Sequence, residues 1–215
     1  MLIDHSSTSV SDFYTACMES ERAPLSVRER NKRHTRDHLR DVATALFIER
    51  GFAATSVEDI VTAAGASRAT FYAHFTSKEA VLGEIVEVMW TEAEEHYIAF
   101  GKLEDWSRAS LLEWLRDFGE HWRRTADRNR AATEAAFALM LAEGPEWRRR
   151  HVQAVLSPAE RWSHFTKPEA ALRASMLVRV VVGELANYFF GSRSLDFEVF
   201  IGYLADGVRD LLRAP

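Results

Sequence analysis

The chain has 215 residues, 47% of them hydrophobic, enough for one or two packed units with a sizeable core. Its net charge of -5 argues against a general nucleic-acid binder, and its single cysteine, Cys17, excludes an internal disulfide and a cysteine-based metal site. The first ten residues lack the basic start and apolar run of a signal peptide. The longest apolar stretches, such as Met176 to Val182 with Arg179 inside it, fall short of the ~20 residues that span a bilayer. A cytoplasmic protein with no membrane partner is expected.

Apolar residues recur at helical spacing almost throughout, no alternating strand pattern emerges, and Gly and Pro are sparse at 10 and 5. The fold is therefore read as all-α, with about nine helices. Residues 1–27 are polar and Ser-rich and read as a flexible arm. The run Arg28, Arg30, Lys32, Arg33 and Arg36 leads into a first helix, about 31–50, with a core face of Leu39, Val42, Ala43, Leu46 and Phe47. Gly51 suits its C-terminus. Thr55 and Glu58 have the spacing of a capping box that opens a second helix, about 56–64. Gly65 supplies a tight turn, and Ser67 caps a third helix, about 68–74, anchored inward by Phe71 and Phe75. Thr76 and Glu79 repeat the capping-box spacing before a fourth helix from Ser77 to about Phe100.

Two short helices joined by a glycine turn, followed at once by a third, have the layout of a helix-turn-helix DNA reader. The second of the pair turns Ser67, Arg68, Thr70, Tyr72 and His74 outward, a set of hydroxyl, guanidinium, phenol and imidazole groups suited to a major groove. Charge supports this. Residues 28–78 hold nine Lys/Arg against six Asp/Glu, a net of +3, which leaves -8 on the remainder. A chain that touches DNA with one end only has this asymmetry.

The runs ALFIERGFAATSVEDIV (Ala45 to Val61) and GASRATFYAHFTSKEAVL (Gly65 to Leu82) resemble the TetR family of transcriptional regulators. The likeness is dense over about Leu39 to Leu82. It departs at Ala66, where the family usually has Val or Ile, and conservatively at Val81. In the C-terminal two thirds it rests on helix count, order and length. The resemblance implies a DNA-binding domain at 28–76 and an effector-binding and dimerisation domain at 77–215. It also implies DNA contacts at the matching positions. Thr55 and Ser56 would meet phosphate; Ser67, Arg68, Ala69 and Thr70 would lie against base edges or the adjoining backbone. Tyr72, His74 and Lys78 would hold phosphates. Arg68 could read guanine bidentately or contact a phosphate. The basic run, with Arg33 and Arg36, could follow the backbone, enter the minor groove, or remain a solvated arm.

The rest of the chain reads as further helices: about 106–125, 127–142, one after Gly144-Pro145 that breaks or kinks near Pro158, then 169–190 and 197–213. In the family a small-molecule site lies within this body, and the last two helices pair with their copies. The candidate ligand residues here are Trp114, Phe118, Phe137, Met140 and Trp147, with Tyr188 and the polar Asn187; ordinary core packing competes with this for each. The candidate dimer face is Val178, Val181, Leu185 and Phe189 with Phe197, Ile201, Leu204 and Val208. Two-fold symmetry would fit a palindromic operator with half-sites about 34–36 Å apart or a multiple of that.

Nothing has the pattern of catalysis: no phosphate-cradling glycine loop, no nucleophile elbow, no zinc-binding His-Glu helix. Glu113, Asp117 and His121 have metal-ligand spacing, but Arg116, Arg123 and Arg124 beside them make an ion-pair ladder the simpler reading. No metal and no cofactor are expected. The expected partners are double-stranded DNA, a small, hydrophobic effector and a second copy of the chain. The expected function is a ligand-released repressor. An activator, or an architectural or partner-binding protein without an effector, remains the alternative.

Overall fold

The computed structural model describes residues 26–143, 146–157, 159–191 and 195–213, excepting the side chains of 134–143. Among these residues there is no strand. Eight α-helices follow in order: α1 Val27–Arg50, α2 Val57–Ala63, α3 Arg68–Tyr72, α4 Lys78–Gly101, α5 Arg108–Glu143, α6 Glu146–Leu156, α7 Lys167–Phe190 and α8 Phe197–Leu212, with a 3-10 turn at Ala159–Trp162 before α7. The arm expected at the N-terminus lies outside the described residues up to position 25.

Several boundaries differ from expectation, each for a local reason. α1 begins at Val27 because Ser26 and Glu29 form a reciprocal capping box, Glu29 N donating to Ser26 Oγ at 3.2 Å and Ser26 N to Glu29 Oε2 at 2.9 Å. The box expected at Thr55 is displaced by one residue, and the one expected at Thr76 is replaced by a simple cap one residue on. Ser56 caps α2 with Asp59 as its partner, and Ser77 caps α4. Thr55 is instead buried, its hydroxyl donating to Gly51 O at 2.9 Å. Gly51 and Gly65 take φ of 82° and 60°, the left-handed conformations their positions require.

The two helices expected at 106–125 and 127–142 are one. No Gly or Pro falls between Gly119 and Gly144, so nothing interrupts the backbone ladder. The polar residues that suggested a break bond along the helix: Thr125 Oγ1 donates to His121 O at 2.9 Å and accepts from Asn129 Nδ2 at 3.0 Å.

Two cores result. Leu39, Phe47, Ile60 and Phe71 from the first three helices close over Val81, Leu82, Ile85 and Trp90 of α4. Tyr97 and Phe100, farther along α4, belong to a second cluster with Leu115, Phe118, Leu177, Leu185 and Ile201. α4 is thus a single rod whose N-terminal half serves the first core and whose C-terminal half serves the second. Trp147 of α6 packs against both, stacked on Trp90 with ring centroids 3.9 Å apart. No helix of the described chain is long and apolar enough to cross a membrane.

The last two helices correct the dimer expectation. Val178, Val181, Leu185, Phe189, Ile201, Leu204 and Val208 are buried within the single chain, and Phe197 is half-buried. They hold α7 and α8 onto their own body. The apolar surface left over lies on the opposite face: Leu172 on α7, Val199 and Tyr203 on α8, and Leu195 just before it, with Tyr203 70% exposed.

Candidate functional site

The polar face of α3 is built by its neighbours. Ser67 caps the helix, its Oγ accepting from Thr70 N at 3.0 Å and lying 2.8 Å from Thr70 Oγ1. Phe71 and Phe75 are 0% and 2% exposed and fix the helix from beneath. Arg68, Ala69 and Tyr72 are left exposed. Arg68 is not idle: Nη1 donates to Glu58 Oε2 of α2 at 3.0 Å, with both side chains about 60% exposed. Such a pair is a weak restraint in water, so the guanidinium is oriented yet available.

Beside α3 lies an open cleft of about 360 Å³, lined by Ala53 to Val57, Tyr72 and Thr76 to Glu79. The N-termini of α2 and α4 both border it, so Ser56, Ser77 and the amides beyond them face the same concavity from two sides. Partial positive charge from two helix ends, with a phenol on the wall, suits a phosphate.

Three of the residues expected at DNA are engaged inside the domain. Thr55 is buried, as described. Lys78 Nζ donates to Phe52 O at 2.9 Å and Thr55 O at 2.8 Å and sits 4.4 Å above the Phe52 ring, which pins the α1–α2 turn to α4. Arg36 donates to Glu84 Oε1 of α4 and to the carbonyl of His74, over the Phe75 ring at 4.2 Å. It therefore joins α1, α3 and α4. His74 is half-buried, and burial together with the charges of Arg36 and Lys32 holds its imidazole below the usual histidine range. At neutral pH its imidazole is uncharged. Arg33 is exposed on α1, and Lys32, close enough to act on His74, brings the basic run beside the end of α3.

Among the described residues of the body, a partly open cavity of about 50 Å³ lies between α4, α5 and α7. Of the five expected ligand residues whose side chains are described, Phe118 alone is on its wall. Trp114 is core, its Nε1 donating to His96 O at 2.7 Å. Trp147 stacks on Trp90, Tyr188 stacks on Phe200 at 4.4 Å, and Asn187 is exposed. The side chains of Phe137 and Met140 lie outside the described residues. The polar groups at the cavity are His121, Asn129 and Thr133, none of them expected. Their spacing on one face of α5 becomes visible once 108–143 is a single helix. Among the described residues no group of three His, Cys, Asp or Glu is placed to hold a metal. His96 pairs with Asp117 at 3.2 Å and His121 with Glu92 at 3.4 Å.

Residues 39–85 match the family described as "Bacterial regulatory proteins, tetR family". The chain is 49% identical over 51 residues to the transcriptional repressor KstR2 of Rhodococcus jostii, covering 24% of this chain and 25% of that one. It is 37% identical over 59 residues to the repressor DhaR of a Mycobacterium species, covering 27% and 30%. The KstR2 of Mycolicibacterium smegmatis is matched over 121 residues at 28% identity, covering 56% of this chain and 47% of that one. The chain thus spans a quarter to just under half of the length of these relatives. A TetR-family regulator from Pectobacterium atrosepticum aligns in structure over 88% of this chain and 96% of its own at a TM-score of 0.63 and 21% identity. A fatty acid degradation regulator, FadR, from Bacillus halodurans aligns over 82% and 93% at 0.58 and 18% identity. Residues 39–85 are thus similar to the tetR-family segment, carried on a fold that TetR-family structures share over most of the length of this chain.

Proposed function

We propose that the chain is a one-component transcriptional repressor that binds an operator as a homodimer and leaves it when a small molecule enters the body. The observation that carries this is α3: five residues, two phenylalanines beneath and a polar face above, standing next to a cleft that two helix N-termini border. The repressor designation of the sequence relatives supports it. In this reading Ser67, Arg68, Ala69 and Thr70 meet base edges or the adjoining backbone. Ser56 and Tyr72 hold a phosphate in the cleft, with Arg33 on the flanking backbone. Thr55, Lys78 and Arg36 position these groups from inside the domain, and His74 approaches as a neutral imidazole.

The DNA-binding domain runs from about 28 to 76, and the remainder senses and dimerises. The dimer face is the outer side of α7 and α8, where Leu172, Leu195, Val199 and Tyr203 leave apolar side chains exposed. α4 carries the signal because one rigid helix belongs to both cores. An effector must prefer the arrangement that cannot bind DNA, and that preference sets how far it shifts the population. A second reading is an architectural or partner-binding DNA-associated protein with no effector. Selection of host genomic duplexes on the full chain tests the main reading, followed by a screen for compounds that elute them. Retention of defined fragments that compounds release supports it. Retention that nothing releases leaves the second reading, and no retention at low salt overturns both.

A further inference from the structure

The cavity has a neighbour. An open groove of about 430 Å³ lies at the junction of α1, α4 and α5, lined by Arg40, Asp41, Thr44, Glu92 and Arg128 among others. Glu92 and Arg128 line the groove, and each is bonded to a residue lining the cavity. Glu92 faces His121 at 3.4 Å, and Arg128 Nη2 donates to Asn129 Oδ1 at 3.3 Å. Glu92 and Arg128 are also bonded to each other, Nη1 to Oε1 at 3.1 Å with a second, shorter contact beside it. Asn129 is 2% exposed, so the inner side of this layer is dry.

We propose that the groove and the cavity form one effector path with the Glu92–Arg128 pair as its gate, and that the effector is a small monocarboxylate with a compact apolar body. This rests on the reading of the chain as a ligand-released regulator. Glu92 is a carboxylate from α4 held between two nitrogen groups of α5, Arg128 and His121. A cation entering here meets Arg128 and Arg40, and finds the groove's two carboxylates already taken, Glu92 by Arg128 and Asp41 by Arg40. A neutral molecule can fill the cavity, but leaves the pair intact. A carboxylate competes for what Glu92 holds, and it can satisfy the guanidinium through the same two-pronged geometry. Its apolar body then occupies the space between Met89, Trp122, Val182 and Ala186, where an unbranched methionine can yield volume. Capture of Arg128 breaks its tie to Glu92 and leaves Glu92 to His121, which loosens one of the links between α4 and α5. Because α1 lines the same groove, the change occurs against the DNA-binding domain itself.

The test uses the full chain with benzoate and cyclohexanecarboxylate, their neutral amides, and benzylamine. Binding is read by thermal shift and by the emission of Trp90 and Trp122, both on the cavity wall. The acids are expected to bind at least about tenfold more tightly than the amides and benzylamine, a difference worth ~1.4 kcal/mol. Glu92→Gln, which removes the competing charge, is expected to tighten acid binding by about tenfold, and Arg128→Gln to abolish the acid preference. Ala186→Met is expected to fill the cavity and remove the response. Equal binding of acid and amide by the unaltered chain overturns the proposal without recourse to any variant. So does an unchanged acid affinity in Glu92→Gln, or silence toward both acids at millimolar concentration. Operator binding measured in parallel separates the two ideas. A chain that holds duplex DNA but ignores the acids keeps its place as a regulator and loses this effector, whereas acid binding without DNA binding removes the regulator.

Discussion

The two ends of the molecule use the same side-chain chemistry in opposite ways. At the N-terminal end, Arg68 and Tyr72 of α3 stay at the surface, with the aromatics Phe71 and Phe75 beneath them. In the body, Trp114, Phe118 and Trp122 are interior and the arginines act as ties between helices, as Arg128 does to Glu92. A polar residue on a short exposed helix is free to meet a partner. The same residue on a long packed helix is already committed to one. Ligand access to the body must therefore displace an existing contact, whereas DNA access to α3 displaces little more than the Arg68–Glu58 pair.

The largest test of this contrast is Phe71→Ala. Emptying a fully buried aromatic site is expected to cost about 3–5 kcal/mol and to unfold the DNA-binding end, seen in thermal denaturation. Next comes the dimer face. Tyr203→Asp, or Leu172→Asp, places a charge on the proposed interface but on an exposed surface of the single chain. It is expected to convert dimer to monomer in sedimentation while the helical content stays unchanged. A dimer that survives both substitutions relocates the interface. Arg68→Ala is expected to cost about 1–3 kcal/mol of operator affinity with relaxed preference at one base pair, while an equal loss on all duplexes reduces Arg68 to a phosphate contact.

Acidification acts on buried imidazoles, most of them in the body. Burial holds His96, His121 and His151 below the ordinary histidine range. As the pH falls the unfolded chain binds protons before these sites do. Stability is therefore full above about pH 6.5 and is lost progressively below it. Unfolding midpoints at pH 7.5 and 5.5 check this; equal values contradict the buried assignment. The smallest effect is at Glu58→Gln. It releases Arg68 from a mostly exposed pair and is expected to raise operator affinity by less than about 1 kcal/mol, a gain that vanishes in the Arg68→Ala background.

The DNA-binding end was readable in the sequence because its signals are local. Ser67, Gly65 and Phe71 lie within seven positions, and caps, turn and anchor each act over three or four residues. The caps erred by one residue because Thr55 and Ser56, like Thr76 and Ser77, both carry the right hydroxyl. What separates Thr55 from Ser56 is burial of the threonine beneath Gly51, a tertiary fact. The body was harder. Which apolar face of α7 and α8 meets the chain's own core is decided by helices far away in sequence, so the buried face was mistaken for the dimer face. The stripe His121, Asn129, Thr133 was hidden by a helix break placed between Thr125 and Asp127. A polar residue is a weak breaker when a neighbour one turn away can take its hydrogen bond, as Thr125 does for Asn129.

The central claim is that the outer face of α3 reads a duplex. The most direct measurement is the affinity of the full chain for a genome-selected duplex and for its scrambled counterpart across a range of salt concentrations, repeated with Arg68→Ala and Thr70→Ala. The account predicts a steep salt dependence on both duplexes, an added affinity for the selected one of at least about 4 kcal/mol, and loss of much of that difference in the two variants. Equal affinity for the two duplexes, or a preference that both variants retain in full, would contradict it.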